Sequence, residues 1–114
     1  MASLFRRVFG IAPTPRLVRA PLPGFDAGYY LRAYPDVRAS AMDPLAHYIH
    51  HGWREGRDPS AGFSTDGYLR ANPDVAAARI NPLVHLLENG LAEGRGGWWK
   101  DPASPAPPPR TTLW

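Results

Sequence analysis

The feature that most constrains this chain is an internal repeat. The segment PLAHYIHHGWREGR at positions 44–57 returns as PLVHLLENGLAEGR at positions 82–95, 38 residues later. Aligning residues 25–60 (the first unit) with residues 63–98 (the second unit) gives 16 identities in 36 positions without a gap. Chance does not produce that register. A unit written twice indicates that one copy cannot bury its apolar face alone, whereas two stacked copies can.

Both units carry the start signals of two short helices in succession. Asp26 and Ser64 stand at N-cap positions ahead of the first helix. Pro35 and Pro73 end that helix and begin the second, because proline fits the first turn of a helix and not its interior.

A third helix follows in each unit and shows its buried face. It has a cap-plus-proline start at Asp43-Pro44 and again at Asn81-Pro82, and Gly52 and Gly90 stand where a left-handed C-cap is expected. Apolar residues recur at helical spacing, namely Leu45, Tyr48, Ile49 and Trp53, then Leu83, Leu86, Leu87 and Leu91. Strand-like alternation of comparable strength is absent from the sequence.

The predicted fold is therefore all-α, with two tandem repeats of about 38 residues, three short helices in each, and extended tails. We divide the chain into a basic N-terminal arm (1–24), repeat 1 (25–61), repeat 2 (62–97) and a Pro-rich aromatic C-terminal tail (98–114). Helical residues 25–96 are expected to fold without either end. The tails are expected to lie extended on partner subunits, outside an isolated globule.

Charge is unevenly placed along the chain. The net charge is +3, yet residues 25–96 hold seven arginines against nine acids, so the basic character belongs to the arm. An arm with four arginines and no acid is suited to an acidic surface: another protein, a membrane surface or, least favoured, nucleic acid. No apolar run reaches 18 residues, so no transmembrane segment is predicted.

The two units resemble a short helical repeat of bacterial proteins. Its pattern is F-D-x-x-Y-L-x-x-N-P-D-V, then P-L-x-H-Y, then G-x-x-E-G-R, and the match covers residues 25–95. Tyr34 stands where that repeat has Asn, and Leu86 stands where it has Tyr. The repeat occurs beside glycosyltransferase domains and in large secreted repeat proteins, including calcium-binding ones. The resemblance implies a carbohydrate-associated setting, and no reaction is attached to the repeat itself.

The repeated polar residues have structural and functional interpretations. His47 and His85 lie off the apolar stripe, and we expect each to bond a backbone carbonyl or an acid in a neighbouring helix. A sugar or partner contact is the alternative. His47 and His51 have the i, i+4 spacing of two metal ligands, but the second unit has Asn89 in place of the latter, so no metal site is predicted.

The acidic and basic residues of the repeat are predicted to be structural as well. Glu55-Gly56-Arg57 and Glu93-Gly94-Arg95 follow a helix end, where the glycine permits a sharp turn and the acid and base pair with each other or with the backbone. Asp36 and Asp74 are expected to cap the second helix of each unit, with carbohydrate or calcium contact as the alternative.

Catalysis has little support in the sequence. There is no Gly-rich phosphate loop, no nucleophile elbow, no metalloprotease motif and no cysteine. The acid–base groups present all have simpler helical roles. We therefore expect a protein that is not an enzyme and needs no cofactor.

The favoured hypothesis is a non-catalytic structural or adaptor protein of a larger assembly, such as a phage-like particle or a cell-surface complex. Its protein-binding residues would be Leu4, Phe5, Arg6, Arg7, Phe9, Trp98, Trp99, Leu113 and Trp114. Trp98 and Trp99 could instead cap the apolar face of the second unit. A homo-oligomer, and a location in the bacterial cytoplasm, on a particle or at the cell surface, all remain open.

Two further hypotheses use other surfaces. A glycan-binding or surface-attachment module would bind polysaccharide through His47, His85 and aromatic residues, namely Tyr29, Tyr30, Tyr34 and Trp53. A peripheral membrane protein would dock through residues 4–19, where four arginines lie among apolar residues.

Overall fold

A computed structural model of the protein describes residues 22–110. The predicted all-α class is confirmed, since these residues contain six short α-helices and no strand. The helices are α1 Ala27–Ala33, α2 Pro35–Ser40, α3 Pro44–His50, α4 Thr65–Ala71, α5 Pro73–Ala78 and α6 Pro82–His85. A 3₁₀ turn, Gly52–Glu55, follows α3, and a π-helical turn, Leu86–Gly90, follows α6. Two isolated β-bridges join Phe63 to Ser60 and to Trp99.

The predicted helix starts are all confirmed. Asp26 accepts a hydrogen bond from the backbone of Tyr29 at 3.0 Å, which caps α1. Ser64 does the same for α4 through Gly67 at 2.9 Å. Each remaining helix begins at a proline, which leaves no unsatisfied N–H at that position. The side chains of Asp43 and Asn81 cap α3 and α6 in the same way.

The core is aromatic and joins both units. Its fully buried side chains are tyrosines from both units and aliphatic residues from α2, α4, α5 and α6: Tyr30, Tyr34, Tyr48, Tyr68, Leu69, Leu83, Val37 and Val75. Phe25 packs between Tyr30 and Tyr48, with ring centroids 5.4 and 6.0 Å away. Tilted and edge-on ring packing of this kind adds to the stability gained from the buried apolar area.

The units meet through a buried polar contact. The hydroxyl of Tyr48, in α3, lies 2.9 Å from the hydroxyl of Thr65, the first residue of α4. Thr65 also donates to the backbone oxygen of Arg57 at 2.7 Å. Buried hydroxyls that find partners in this way specify one packing arrangement, because other arrangements would leave them unsatisfied.

The predicted apolar stripe is kept in the first unit and interrupted in the second. Trp53 is 2% exposed, whereas Leu91, at the matching position, is 57% exposed. The prediction that Leu91 faces the core is therefore wrong. The π-helical turn that ends at Gly90 changes the direction of the residue after it, compared with the 3₁₀ turn of the first unit.

The C-terminal stretch folds back onto the units. Ala106 packs against the core, and the Arg110 backbone N–H donates to the Glu55 oxygen at 3.1 Å. The prediction that this stretch lies outside the globule is wrong for residues 98–110. The corresponding prediction for the N-terminal arm falls on residues 1–21, outside the described part of the chain.

Candidate functional site

The repeated histidine of each unit bonds a tyrosine of the unit's first helix. The Tyr30 hydroxyl lies 2.7 Å from Nδ1 of His47, and the Tyr68 hydroxyl lies 2.9 Å from Nδ1 of His85. Both tyrosines are fully buried. The sequence predicted a hydrogen-bonded histidine, but the predicted partner was wrong: it is a phenol in both units, and neither a carbonyl nor an acid.

The repeated glycine makes room for the same tyrosine. A Cβ atom on Gly52 would lie 2.0 Å from the Tyr30 hydroxyl oxygen, and one on Gly90 would lie 2.2 Å from that of Tyr68. Neither glycine has a positive φ, so the predicted left-handed C-cap is wrong at both positions. Tyrosine, histidine and glycine of each unit therefore form one packed group, which we call the Tyr–His–Gly cluster.

Burial keeps the cluster of the first unit uncharged at neutral pH. It lowers the pKa of His47, and the positive charge of Arg57 lowers it further. Burial also raises the pKa of the Tyr30 phenol. A phenol that keeps its proton can donate it to an unprotonated imidazole nitrogen. The pair is therefore suited to hold a fixed neutral hydrogen bond.

The Glu-Gly-Arg motif of the first unit closes onto α2. Nε of Arg57 donates to Glu55 at 2.7 Å, which confirms the predicted pairing within the motif. The two Nη atoms donate to both carboxylate oxygens of Asp36 at 2.9 and 2.7 Å, and these bonds hold the pKa of Asp36 below its usual value. Gly56 has a φ of 78°, which glycine adopts without strain. Sequence reasoning missed that the first-turn acid is the partner of this arginine.

The second unit repeats this network at a more exposed place. Nε of Arg95 donates to Glu93 at 2.7 Å, and Nη1 donates to Asp74 at 2.8 Å and to Asn72 at 3.2 Å. The Arg95 side chain is 25% exposed, against 5% for Arg57. The guanidinium of Arg57 lies 4.8 Å above the ring of Tyr34, and the matching residue of the second unit is Asn72.

Half of the predicted glycan-binding residues lie in the core. Three of the six are buried and have no area to offer a sugar: Tyr30, Tyr34 and Trp53. His47 and His85 are half-buried and bonded to tyrosines. Tyr29 is half-buried, with the ammonium group of Lys100 at 5.7 Å from its ring centroid. The recurrence of aromatic residues led to the prediction of a sugar-binding surface, but for Tyr30, Tyr34 and Trp53 it reflects packing in the core.

The predicted protein-binding residues are placed unequally. Seven of them lie outside the described residues: Leu4, Phe5, Arg6, Arg7, Phe9, Leu113 and Trp114. Trp98 stacks on Phe63 at 6.3 Å with an interplanar angle of 18°, so it caps the second unit. Trp99 is 68% exposed.

Sequence reasoning missed two ion pairs that hold the C-terminal stretch. Lys100, the only lysine of the sequence, pairs with Asp58, a buried carboxylate that also accepts from the Thr65 N–H at 3.0 Å. Burial raises the pKa of Asp58, and the hydrogen bond from Lys100 opposes that shift. Arg110 pairs with both oxygens of Asp66 at 2.7 and 2.9 Å. Long-range partners of this kind leave no periodic pattern in a sequence.

Neither a metal cluster nor a membrane helix is found in the described part of the chain. Among residues 22–110, no three His, Cys, Asp or Glu side chains are grouped so that they could hold a metal ion. No helix formed by these residues is long and apolar enough to cross a membrane.

No protein-family model, curated protein or solved structure matches this chain. The likeness to the bacterial helical repeat is therefore a proposal that rests on the matching residues of the two units.

Proposed function

We propose that this protein is a non-catalytic adaptor that binds another protein through Trp99 within a larger assembly. The observation that carries the proposal is a tryptophan side chain 68% exposed on a backbone that is held on both sides. The Ser64 N–H donates to the Trp98 oxygen at 2.6 Å, and the Lys100 N–H donates to the Gly62 oxygen at 3.2 Å.

The neighbours of Trp99 are fixed by their side chains as well. Trp98 stacks on Phe63, and Lys100 pairs with the buried Asp58. Trp99 therefore points to solvent from a backbone that has little freedom left to lose on binding. Tryptophan on such a support is a typical anchor of protein interfaces, since it contributes a large area at a small entropic cost.

The repeated polar residues also support the proposal of a non-catalytic adaptor. The hydrogen bonds given for both Tyr–His–Gly clusters and both arginine networks are made within the chain. A role in folding is therefore enough to explain why these residues occur twice. A phage-like particle and a bacterial cell-surface complex are both settings for such an adaptor. The glycan-binding alternative is less favoured, because half of its residues are buried.

The test compares what co-purifies from the native source with three tagged proteins: the natural sequence, Trp99→Ala and Ile80→Ala. Ile80 is a matched control, because it is an exposed apolar residue of the second unit, 40% exposed. Loss of a hot-spot tryptophan costs about 2 kcal/mol or more. We expect Trp99→Ala to lose at least about nine-tenths of the partner, and Ile80→Ala to retain it.

Full recovery of the same partner with Trp99→Ala would overturn the adaptor hypothesis as stated. A glycan-array signal that survives in all three proteins, with no protein partner, would favour the surface-attachment alternative.

A further inference from the structure

The C-terminal stretch occupies a groove between the two units. We call residues 101–110 the strap, and define the junction groove by the residues that contact it: Tyr34, Glu55, Gly56 and Asp66. The Tyr34 hydroxyl donates to the Pro107 oxygen at 3.3 Å. The Glu55 oxygen accepts from the Arg110 N–H at 3.1 Å, and Ala106 packs on the core.

Arg110 is the most specific contact of the strap. Its guanidinium pairs with both oxygens of Asp66, and both side chains are largely shielded from solvent. A Cβ atom on Gly56 would lie 2.0 Å from Nη1 of Arg110, so a side chain at this position would displace the guanidinium from where it lies. Bidentate pairing of arginine with a carboxylate provides both strength and directional specificity.

The second unit lacks the features that make this groove. Gly94 matches Gly56 in sequence, yet no described atom lies within 4 Å of a Cβ placed on it. In the first unit, Gly28 stands at the position that matches Asp66. The groove therefore needs a turn from one unit and an acid from the other, and the junction brings these together.

The sequence of the strap fits a recognised mode of peptide binding. Pro107, Pro108 and Pro109 precede Arg110, and a run of prolines favours the stiff polyproline-II conformation. Such a segment loses little entropy when it binds, and a hydroxyl donor for its free carbonyl oxygens and an acid for its arginine are suitable partners for it. The groove offers a tyrosine hydroxyl, a backbone oxygen and a carboxylate to this segment.

The strap also has the length to leave the groove of its own chain. It starts after Lys100, which is fixed at Asp58, and ends at Asp66, whose neighbour Thr65 donates to that same Asp58. Its two ends are thus close together, although ten residues can span about 33 Å when extended. Residues 101–105 are exposed and can act as the hinge.

We propose that the junction groove is a recognition site for a proline-rich segment that ends in arginine, and that the strap of a second copy of this chain fills it in a strap-exchanged dimer. Every contact made within one chain is available between two, which is why exchange of an identical element costs little. Each groove then receives Arg110 from the other copy. The inference is independent of Trp99, which lies outside the groove.

The test uses full-length Asp66→Arg and Arg110→Asp chains. Each variant alone places like charges at its own groove, whereas an exchanged pair restores opposite charges at both grooves. We expect each variant to be monomeric by light scattering and the equimolar mixture to form a heterodimer. The natural chain should shift from monomer to dimer as its concentration is raised, because exchange between copies competes with the high effective concentration of the chain's own strap. A mixture that stays monomeric overturns the proposal.

A second measurement applies if the Asp66→Arg chain fails to give a helical circular-dichroism spectrum. The full-length Arg110→Asp chain keeps the groove and weakens its own strap, so a labelled peptide of residues 101–110 should bind to it. The same peptide with Arg110→Asp should bind about tenfold or more weakly, because hydrogen bonds between charged groups are lost. Equal binding of the two peptides, or no binding of either, overturns the proposal.

Discussion

The first and second units make corresponding hydrogen bonds, yet the first is much better covered. In both units a histidine bonds a tyrosine, and an arginine bonds the acid two residues before it and the first-turn acid of the second helix. Arg57 is 5% exposed and Arg95 is 25% exposed. The difference is larger for Trp53, at 2%, and Leu91, at 57%. The local sequence of a unit thus determines which hydrogen bonds form within it. The parts of the chain packed around the unit determine how deeply its side chains are buried.

Two positions that differ between the units lie at the junction where the units meet. Tyr48 and Thr65 bond each other across the junction, and the matching positions hold Leu86 and Ala27. Residues 22–110 contain one junction between units, and neither Leu86 nor Ala27 lies at it, so a tyrosine at 86 or a threonine at 27 would lack this partner among the described residues. A buried hydroxyl without a partner costs free energy. Leu86, which stands where the first unit has Tyr48, avoids that cost.

The largest difference between the units is expected for Trp53→Ala and Leu91→Ala. Removing a buried tryptophan takes away its apolar contacts and leaves a cavity, which lowers the free energy of unfolding by about 3–5 kcal/mol. An exposed leucine contributes about 0.5 kcal/mol or less. Urea unfolding of both variants, followed by circular dichroism, measures the two values.

Losses of similar size in the two variants would contradict this comparison. They would mean that the end of the second unit is covered in solution, by residues outside the described part or by another molecule.

A smaller difference is expected between Arg57→Ala and Arg95→Ala. Arg57 is buried and makes three charged hydrogen bonds, whose loss is expected to lower the free energy of unfolding by about 1.5–3 kcal/mol. Arg95 makes its bonds closer to solvent, where ion pairs contribute less. Thermal melts of both variants test the order, with Arg57→Lys as the control that keeps the charge and loses the two-pronged geometry. Equal destabilisation would show that the burial of Arg57 does not strengthen its network of hydrogen bonds.

The helices could be predicted from the sequence because their signals are local. Asp26, Ser64 and the four prolines at helix starts act on residues within one turn, so each of these helix starts was placed correctly. Gly52 was misassigned for the opposite reason. Its requirement comes from the hydroxyl of Tyr30, 22 residues earlier, and a local pattern cannot distinguish a left-handed turn from a close approach of another side chain.

The C-terminal stretch shows the same limit more strongly. Its prolines correctly excluded a helix, but composition gave no sign that Lys100 and Arg110 would pair with Asp58 and Asp66. The aromatic residues show the same limit. Tyr34 was predicted to be a possible sugar contact, but it is a core residue whose ring lies beneath the guanidinium of Arg57.

We infer that the repeated polar residues stabilise the fold of their own unit. The most direct test is a double-mutant cycle with Tyr30→Phe and His47→Ala, repeated in the second unit with Tyr68→Phe and His85→Ala. We measure the free energy of unfolding at neutral pH, where the lowered pKa of His47 keeps its ring uncharged. A direct hydrogen bond predicts a coupling energy of about 1 kcal/mol in each unit. Additive single effects in both units would contradict the claim.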